Sequence, residues 1–452
     1  MMYKGREKKM KIQLSDHFGY KRLLRFVISP ILMMICTSLY SIVDGFFVSN
    51  FVGKTAFAAV NLYMPLMMGI GAFGFMIGAG GSAIISKTFG EGKKQLANEY
   101  FSMLIYITII FGVICSIIGF LFLKPIILFL GAEGELIQYC MIYGRILLLS
   151  QMTFMLQNVF QFFLTAAEKP ELSLKISILS GVTNIILDFV FIVIFQWAIA
   201  GAAIATAIAQ VVGGVVPLIY FVRKNDSWLR LIKTKWYPKV LLKTCTNGSS
   251  ELMTNISSSI VTILYNLQLM KIAGENGVAA YGVIMYVNFI FFAVFMGYSI
   301  GSAPIISYHY GASNDSELKN LFQKSLKLIA ITGVIMLGLT EMLAASLTKI
   351  FVYYDQDLYH MTLRGFRLYA FMFLVCGINI WGSAFFTALN NGLISALISF
   401  LRTLVFEIGA VLILPIYLGI DGIWLSVLVA EVCALIITTI FFVAKRKQYQ
   451  YI

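Results

Sequence analysis

The chain has 452 residues, of which 60% are hydrophobic and only 12% are charged. A sequence this apolar lacks the polar side chains needed to cover a soluble surface, so it indicates an integral membrane protein. The formal net charge is +13. The basic residues are neither gathered on one amphipathic face nor interleaved with aromatic residues in a polar region, which argues against a nucleic-acid partner.

Apolar stretches of ~20 residues, the length that crosses a bilayer, recur along the chain. The first follows a basic N-terminal segment and lacks an A-x-A-like cleavage site, so we interpret it as a membrane span and not as a signal peptide. Alternating strands of ~10 residues are absent from the sequence, which predicts that every span is a helix. We predict twelve spans, beginning near residues 26, 57, 101, 138, 172, 198, 242, 278, 321, 361, 393 and 422.

Lysine and arginine are distributed unevenly between the segments that connect the spans. With a cytoplasmic N-terminus, 26 of them fall on the cytoplasmic side and five on the opposite side. Positive residues are enriched in cytoplasmic loops, so we predict a multi-pass protein of the cell membrane with both termini in the cytoplasm. The basic loops then face water and anionic membrane lipid.

The second and eighth spans repeat one another at a constant offset of 221 residues. The segment GAGGSAIISKTFG at 78–90 corresponds to SIGSAPIISYHYG at 299–311, and FLTA at 163–166 later corresponds to FFTA at 385–388. We predict two six-span halves, 1–222 and 242–452, joined by a basic cytoplasmic linker at 223–241. Because six is even, the halves enter the membrane from the same side, an arrangement typical of transporters whose halves rock against each other.

The motifs and cysteines do not indicate an enzyme. The GAGG segment at 78–81 lacks the GxxxxGK[ST] pattern of a phosphate loop, so we expect no cofactor and an ion gradient as the energy source. The cysteines show no CxxC spacing, which argues against a zinc site or a disulfide framework. We expect them to be small core residues, at positions 36, 115, 140, 245, 376 and 433.

Five acidic residues fall inside predicted spans: Asp44, Asp188, Glu251, Glu407 and Glu431. A charged residue at a helix centre costs ~2.5–3.5 kcal/mol on insertion scales, so each is expected to face a cavity and have a function. Asn184 precedes Asp188 by four residues, which places an amide and a carboxylate on one helix face. The alternatives are an interfacial position for Asp44, helix packing for Asn184, and internal pairing for Glu407 and Glu431.

Several segments resemble the multidrug and toxic compound extrusion (MATE) family, and within it the MepA-like branch. The most specific are SIVDGFFVSNFVGKTAFAAVNL, GAGGSAIISKTFGEG and FFTALNNG. The resemblance covers nearly the whole chain. It implies an all-α integral membrane protein with 12 transmembrane helices in two pseudo-symmetric six-helix bundles of the MATE/MOP type.

The resemblance also implies a coupling-ion site in the first half. Two close carboxylates with amide and hydroxyl neighbours suit a proton, because like charges at short range are unfavourable, and equally suit Na⁺, because hard cations prefer oxygen. Asn158 is the least secure member, since the rise along its helix places it nearer the membrane centre than Asp188. The residues of this site are Asp44, Asn158, Asn184, Asp188 and Thr206, with Na⁺ expected only at Asp44 and Asp188.

Other branches of the family carry acidic residues on the seventh and tenth spans. Here the seventh span supplies Glu251 and Asn255, whereas the tenth offers Asn379 in place of an acid. We expect these three to line a substrate cavity, with helix packing as the alternative for Glu251. Flexible thioethers suit varied lipophilic cations, although methionine is also an ordinary packing residue. The methionines assigned to the cavity are Met33, Met64 and Met67.

The sequence therefore favours a monomeric antiporter that exports lipophilic, often cationic compounds in exchange for H⁺ or Na⁺. A flippase for a lipid-linked oligosaccharide or cell-wall precursor is the alternative, and it should carry basic side chains in its cavity to hold pyrophosphate. Only Arg145, Arg367 and Arg402 lie within spans. A channel or an intramembrane enzyme is a third class, because such proteins also bury carboxylates in the membrane.

Overall fold

The structure, a computed structural model, describes residues 12–353 and 355–452, which form helices and connecting loops without a strand. The basic residues at 1–11, which the sequence analysis assigns to the cytoplasm, lie outside the described residues. The first six helices are α1 (Tyr20–Val52), α2 (Lys54–Gly90), α3 (Lys94–Phe129), α4 (Glu135–Ala166), α5 (Pro170–Ile194) and α6 (Ala198–Val222). The next six are α7 (238–273), α8 (275–311), α9 (Asp315–Val352), α10 (Gln356–Ala370 with Phe373–Ala388), α11 (Gly392–Leu418) and α12 (Ile420–Tyr449).

Two breaks explain how these helices give twelve spans. Two helices lie between Pro238 and Gly311, because Gly274 has the non-helical angles φ 62° and ψ −150°, so the chain is kinked there and α7 ends. Glycine is required because a side chain would strain this backbone conformation. The two parts of α10 meet at an angle of 50° and together form one bent span. The predicted all-α membrane fold is confirmed, and the described residues contain twelve helices suited to crossing a bilayer.

The first half (α1–α6) and the second half (α7–α12) approach most closely on one side of the membrane. We call this the terminal side, because the first and last described residues lie there. A Cβ atom on Gly248 of α7 would lie 1.9 Å from the carbonyl oxygen of Met76, and one on Gly80 of α2 would lie 2.1 Å from that of Thr244. These helices are therefore in direct backbone contact, as small residues allow in membrane proteins.

A second close contact lies between the ends of α2 and α8, where two glycines correspond in the sequence repeat. A Cβ atom on Gly90 would lie 2.1 Å from the carbonyl oxygen of Tyr308, and one on Gly311 would lie 2.0 Å from that of Lys87. Both glycines end their helices on the terminal side. The two halves are thus closed against each other there.

The short segment before α1, which we call the N-terminal strap (residues 14–18), lies across this closed side. The backbone N–H of Leu14 donates to Oε1 of Glu168 in the first half at 2.8 Å. In the second half, Nδ1 of His17 lies 2.7 Å from Oε2 of Glu317, and the N–H of Phe18 donates to Oε1 of the same residue at 2.9 Å. The strap therefore joins both halves by hydrogen bonds.

We expect the substitution Gly248→Ala to lower the thermal unfolding midpoint of the purified protein in detergent. The added methyl group meets backbone atoms, which cannot move aside without separating α2 from α7, and overpacking of this kind costs ~1–3 kcal/mol. Gly69→Ala in α2 is the matched control, because a Cβ atom there has no neighbour within 4 Å. Equal midpoints for the two variants would show that the contact between α2 and α7 is not tight.

Candidate functional site

Helices α1, α5 and α6 bring four of the predicted coupling residues together. Thr206 donates its hydroxyl to Oδ1 of Asp44 at 3.4 Å. Nδ2 of Asn184 in turn donates to the hydroxyl oxygen of Thr206 at 3.5 Å. These are long hydrogen bonds, so they orient the acidic group without saturating its oxygens. Asp188 completes the group one helical turn beyond Asn184.

The carboxylate of Asp188 lies in the interior without a protein donor. Its side chain is completely buried, and Asp44 is only 7% exposed. Among the described residues, no N–H or O–H group donates to either oxygen of Asp188 or to Oδ1 of Asn184. The carboxyl group of Asp44 lies within electrostatic range of Asp188. Buried acceptors without donors are costly, so this arrangement is suited to receiving a proton or a small cation.

The backbone widens beside both aspartates. A π-helical turn at Phe189–Ile194 begins immediately after Asp188, and another at Val48–Val52 begins four residues after Asp44. Single π-helical turns of this kind occur often at functional sites, where they redirect side chains. The residues of these turns carried no sequence signal that predicted them.

Asn158 is buried in α4 but makes no hydrogen bond to the other four residues. Its Cβ atom lies 3.3 Å from where a Cβ on Gly74 of α2 would be, and no described group accepts from its Nδ2. The helix rise had placed it at a different depth from Asp188. Its membership of the coupling site stays a prediction.

Three polar residues around the carboxyl pair were not singled out from the sequence. Tyr143 of α4 lies beside Thr206 and within electrostatic range of both aspartates. Tyr40 of α1 lies beside Asp44 and Gln157. Tyr40 precedes Asp44 by four residues, so its position on the same helix face was available from the sequence. Tyr143 and Gln157 had no comparable signal.

The second-half residues assigned to a substrate cavity occupy different environments. Glu251 is partly exposed, whereas Nδ2 of Asn255 donates to the backbone oxygen of Glu251 at 2.8 Å and so stays within its own helix. Asn379 is completely buried. Its Nδ2 donates to Oε2 of Glu431 at 2.7 Å, and its Oδ1 accepts from Thr438 at 3.0 Å. Of the three, Glu251 is the residue that remains open to a ligand.

The three methionines assigned to the cavity also differ. Met33 is completely buried and packs between the halves with Ala79, Phe162 and Ile300. Met67 is 6% exposed, and Nε2 of Gln210 donates to its sulfur at 3.7 Å. Met64 is partly exposed. In this conformation Met33 and Met67 pack the interior, and their contact with substrate stays a prediction.

The fold and the site together define a class of protein. Carboxylates buried inside a bundle of two six-helix halves are typical of secondary transporters, in which intramembrane acids mark ion pathways. The protein is accordingly a multi-pass membrane transporter.

Comparison with known proteins places it more narrowly. The family model described as MatE matches the chain twice, over residues 30–190 and 252–412, once in each half. The chain belongs to the MatE family, and the MATE resemblance found in the sequence is confirmed.

The relatives and solved structures agree with this placement. The chain is 27% identical to the multidrug export protein MepA of Staphylococcus haemolyticus over 92% of this chain and 91% of that one. It is 25% identical to the MepA protein of Staphylococcus saprophyticus, with 92% of each chain covered. A crystal structure of MATE in complex with MaL6 superposes with a TM-score of 0.92 at 22% identity, covering 96% of this chain and 98% of that one.

We expect Asp188→Asn to unfold at the same temperature as the natural protein or at a higher one. The amide keeps the volume of the carboxyl group and supplies an N–H that can donate to Asp44, which removes the conflict between two close acids. The measurement is thermal unfolding in detergent, with Thr206→Val showing the cost of losing an ordinary hydrogen bond. A drop of several degrees for Asp188→Asn would mean that its charge already has a partner.

Proposed function

We propose that the protein is a secondary active antiporter that exports lipophilic, often cationic compounds in exchange for H⁺, or for Na⁺ at the same site. The observation that carries the proposal is the buried pair of Asp44 and Asp188, which no described basic group neutralises. Two such carboxyl groups cannot both remain charged at short range. A proton or Na⁺ that enters and leaves the site must therefore neutralise them. Ion-coupled transport requires such an exchange.

The relatives support the choice of cargo. The MepA proteins are multidrug export proteins, and the match extends over nearly the full length of both chains. Glu251 adds a partly exposed carboxylate in the second half, which would attract a positive charge. We therefore assign substrate recognition to the second half and ion exchange to the first.

The closed terminal side supports alternating access. We propose that the two halves, 1–222 and 242–452, rock about the linker at 223–241 and open alternately to each side. With both termini in the cytoplasm of the cell, the conformation described here is closed to the cytoplasm. A single chain contains both halves, so a monomer suffices.

The rival flippase has less support, because the three arginines within spans already interact with protein groups. Arg145 lies over the ring of Phe120, with 5.9 Å from Cζ to the ring centroid. Nε of Arg367 lies 3.6 Å from Oε2 of Glu341. Arg402 is the third, with Nε 3.4 Å from an oxygen of a glutamate on α12. The carboxylates beside Arg367 and Arg402 would repel pyrophosphate.

Expression in a bacterium that lacks its own efflux pumps tests the main proposal through ethidium accumulation. We expect the natural protein to lower accumulation and Asp188→Asn to abolish concentrative efflux, because the amide cannot exchange a proton or hold Na⁺ by charge. Glu133→Gln in the exposed α3–α4 loop is the control for expression. Continued uphill efflux by Asp188→Asn would make this aspartate structural. Unchanged accumulation of a broad compound panel by the natural protein would favour the flippase.

Proteoliposomes decide which ion drives transport. We expect a proton gradient in sodium-free buffer to drive ethidium uptake into proteoliposomes that contain the protein in the inverted orientation. A proton alone relieves the repulsion between the carboxylates of Asp44 and Asp188. Na⁺ would instead need several oxygen ligands at the site. We expect added Na⁺ to compete with the proton. Transport that begins only when Na⁺ is supplied would make Na⁺ the coupling ion.

A further inference from the structure

The second half contains a buried guanidinium group among three carboxylates. Arg402 is 7% exposed and lies on a π-helical turn of α11 at Leu401–Phe406. Its Nε is 3.4 Å from Oε1 of Glu431 on α12. Glu251 of α7 and Glu407 of α11 lie beyond ion-pair distance but within the electrostatic range of Arg402. One fixed positive charge thus faces three acids on three helices.

Arg402 is held loosely for a buried arginine. A guanidinium has five N–H donors, yet the buried Nε makes no hydrogen bond to a described group. Its other neighbour is the ring of Phe292 on α8, whose centroid is 6.0 Å from Cζ. Glu431, in contrast, accepts from Nδ2 of Asn379 at 2.7 Å. The carboxylate of the ion pair is therefore anchored, whereas the guanidinium has donors to spare.

The sequence repeat shows why the second half needs this cation. The repeat offset is 221 between the second and eighth spans and 222 at FLTA and FFTA, so Tyr265 or Asn266 stands where Asp44 stands in the first half, and Gly409 or Ala410 stands where Asp188 stands. The second half thus has no carboxylate at either position. Its own acids lie elsewhere and are accompanied by a permanent positive charge.

We propose that Arg402 is a tethered cation of the second half, which balances Glu251 and Glu407 until a cationic compound competes with it for them. The inference rests on the proposed function, in which Glu251 attracts cationic compounds. Two positive charges in one buried region repel each other, so a bound cation confines the guanidinium to its contact with Glu431. Arg402 is then a specificity-determining residue that limits the affinity for positive charge.

Ethidium binding to the purified protein, followed by fluorescence, tests this through the two partners of one ion pair. Arg402→Gln removes the competitor, so we expect ethidium to bind roughly tenfold more tightly, the size of a charge–charge interaction at moderate dielectric. Glu431→Gln releases Arg402 toward Glu251 and Glu407, so we expect several-fold weaker binding. An ion pair that only supports the fold predicts weaker binding for both variants, which would overturn the inference.

Matched variants separate charge from packing. Arg402→Lys keeps the positive charge, so ethidium affinity should stay near that of the natural protein, and the uncharged dye N-phenylnaphthylamine should bind all variants equally. The double variant Arg402→Gln with Glu431→Gln removes both charges of the ion pair, so no unpaired charge of that pair stays buried. It replaces Arg402→Gln in the experiment if that single variant does not fold. It should bind ethidium more tightly than Glu431→Gln, and equal or weaker binding contradicts the inference. Failure of the natural protein to bind ethidium would instead overturn the proposed function.

Discussion

A carboxylate buried in a membrane bundle has to be neutralised, and the rest of this structure is arranged around that constraint. Ionised groups lose their hydration inside the protein, so they persist only with a proton, a cation or a basic side chain nearby. In the first half, Asp44 and Asp188 are placed together with weak hydrogen-bond donors and without a described base. In the proposed function, an exchangeable ion balances them.

The second half meets the same constraint with a residue of its own. Arg402 lies among Glu251, Glu407 and Glu431, and Asn379 fixes the last of these by a hydrogen bond. The two halves share a fold and a repeated sequence, but their charged interiors differ in kind. A symmetric scaffold thereby carries a carboxyl pair without a described base in one half and a permanent positive charge among carboxylates in the other.

The two halves meet by close backbone approach, by apolar side-chain packing and by hydrogen bonds. Gly80, Gly90, Gly248 and Gly311 allow backbones to touch at a few points on the terminal side. The N-terminal strap adds hydrogen bonds to Glu168 and Glu317. Apolar side chains also pack across the halves, among them Met33, Ala79, Phe162 and Ile300.

The sequence by itself determined the membrane class, the helical spans, the doubled plan and the family, because each follows from composition and from residues close along the chain. It also placed Asn184 and Asp188 on one face, since helical spacing is a local property. Only the tertiary structure decided that Thr206 reaches Asp44 and that Asn158 makes no hydrogen bond to this group. It also decided that the side chain of Asn379 is hydrogen-bonded to Glu431. It also revealed the π-helical turns beside Asp188 and at Arg402. These outcomes depend on helix tilt, rotation and packing between residues far apart in sequence, which no periodicity along a single helix records.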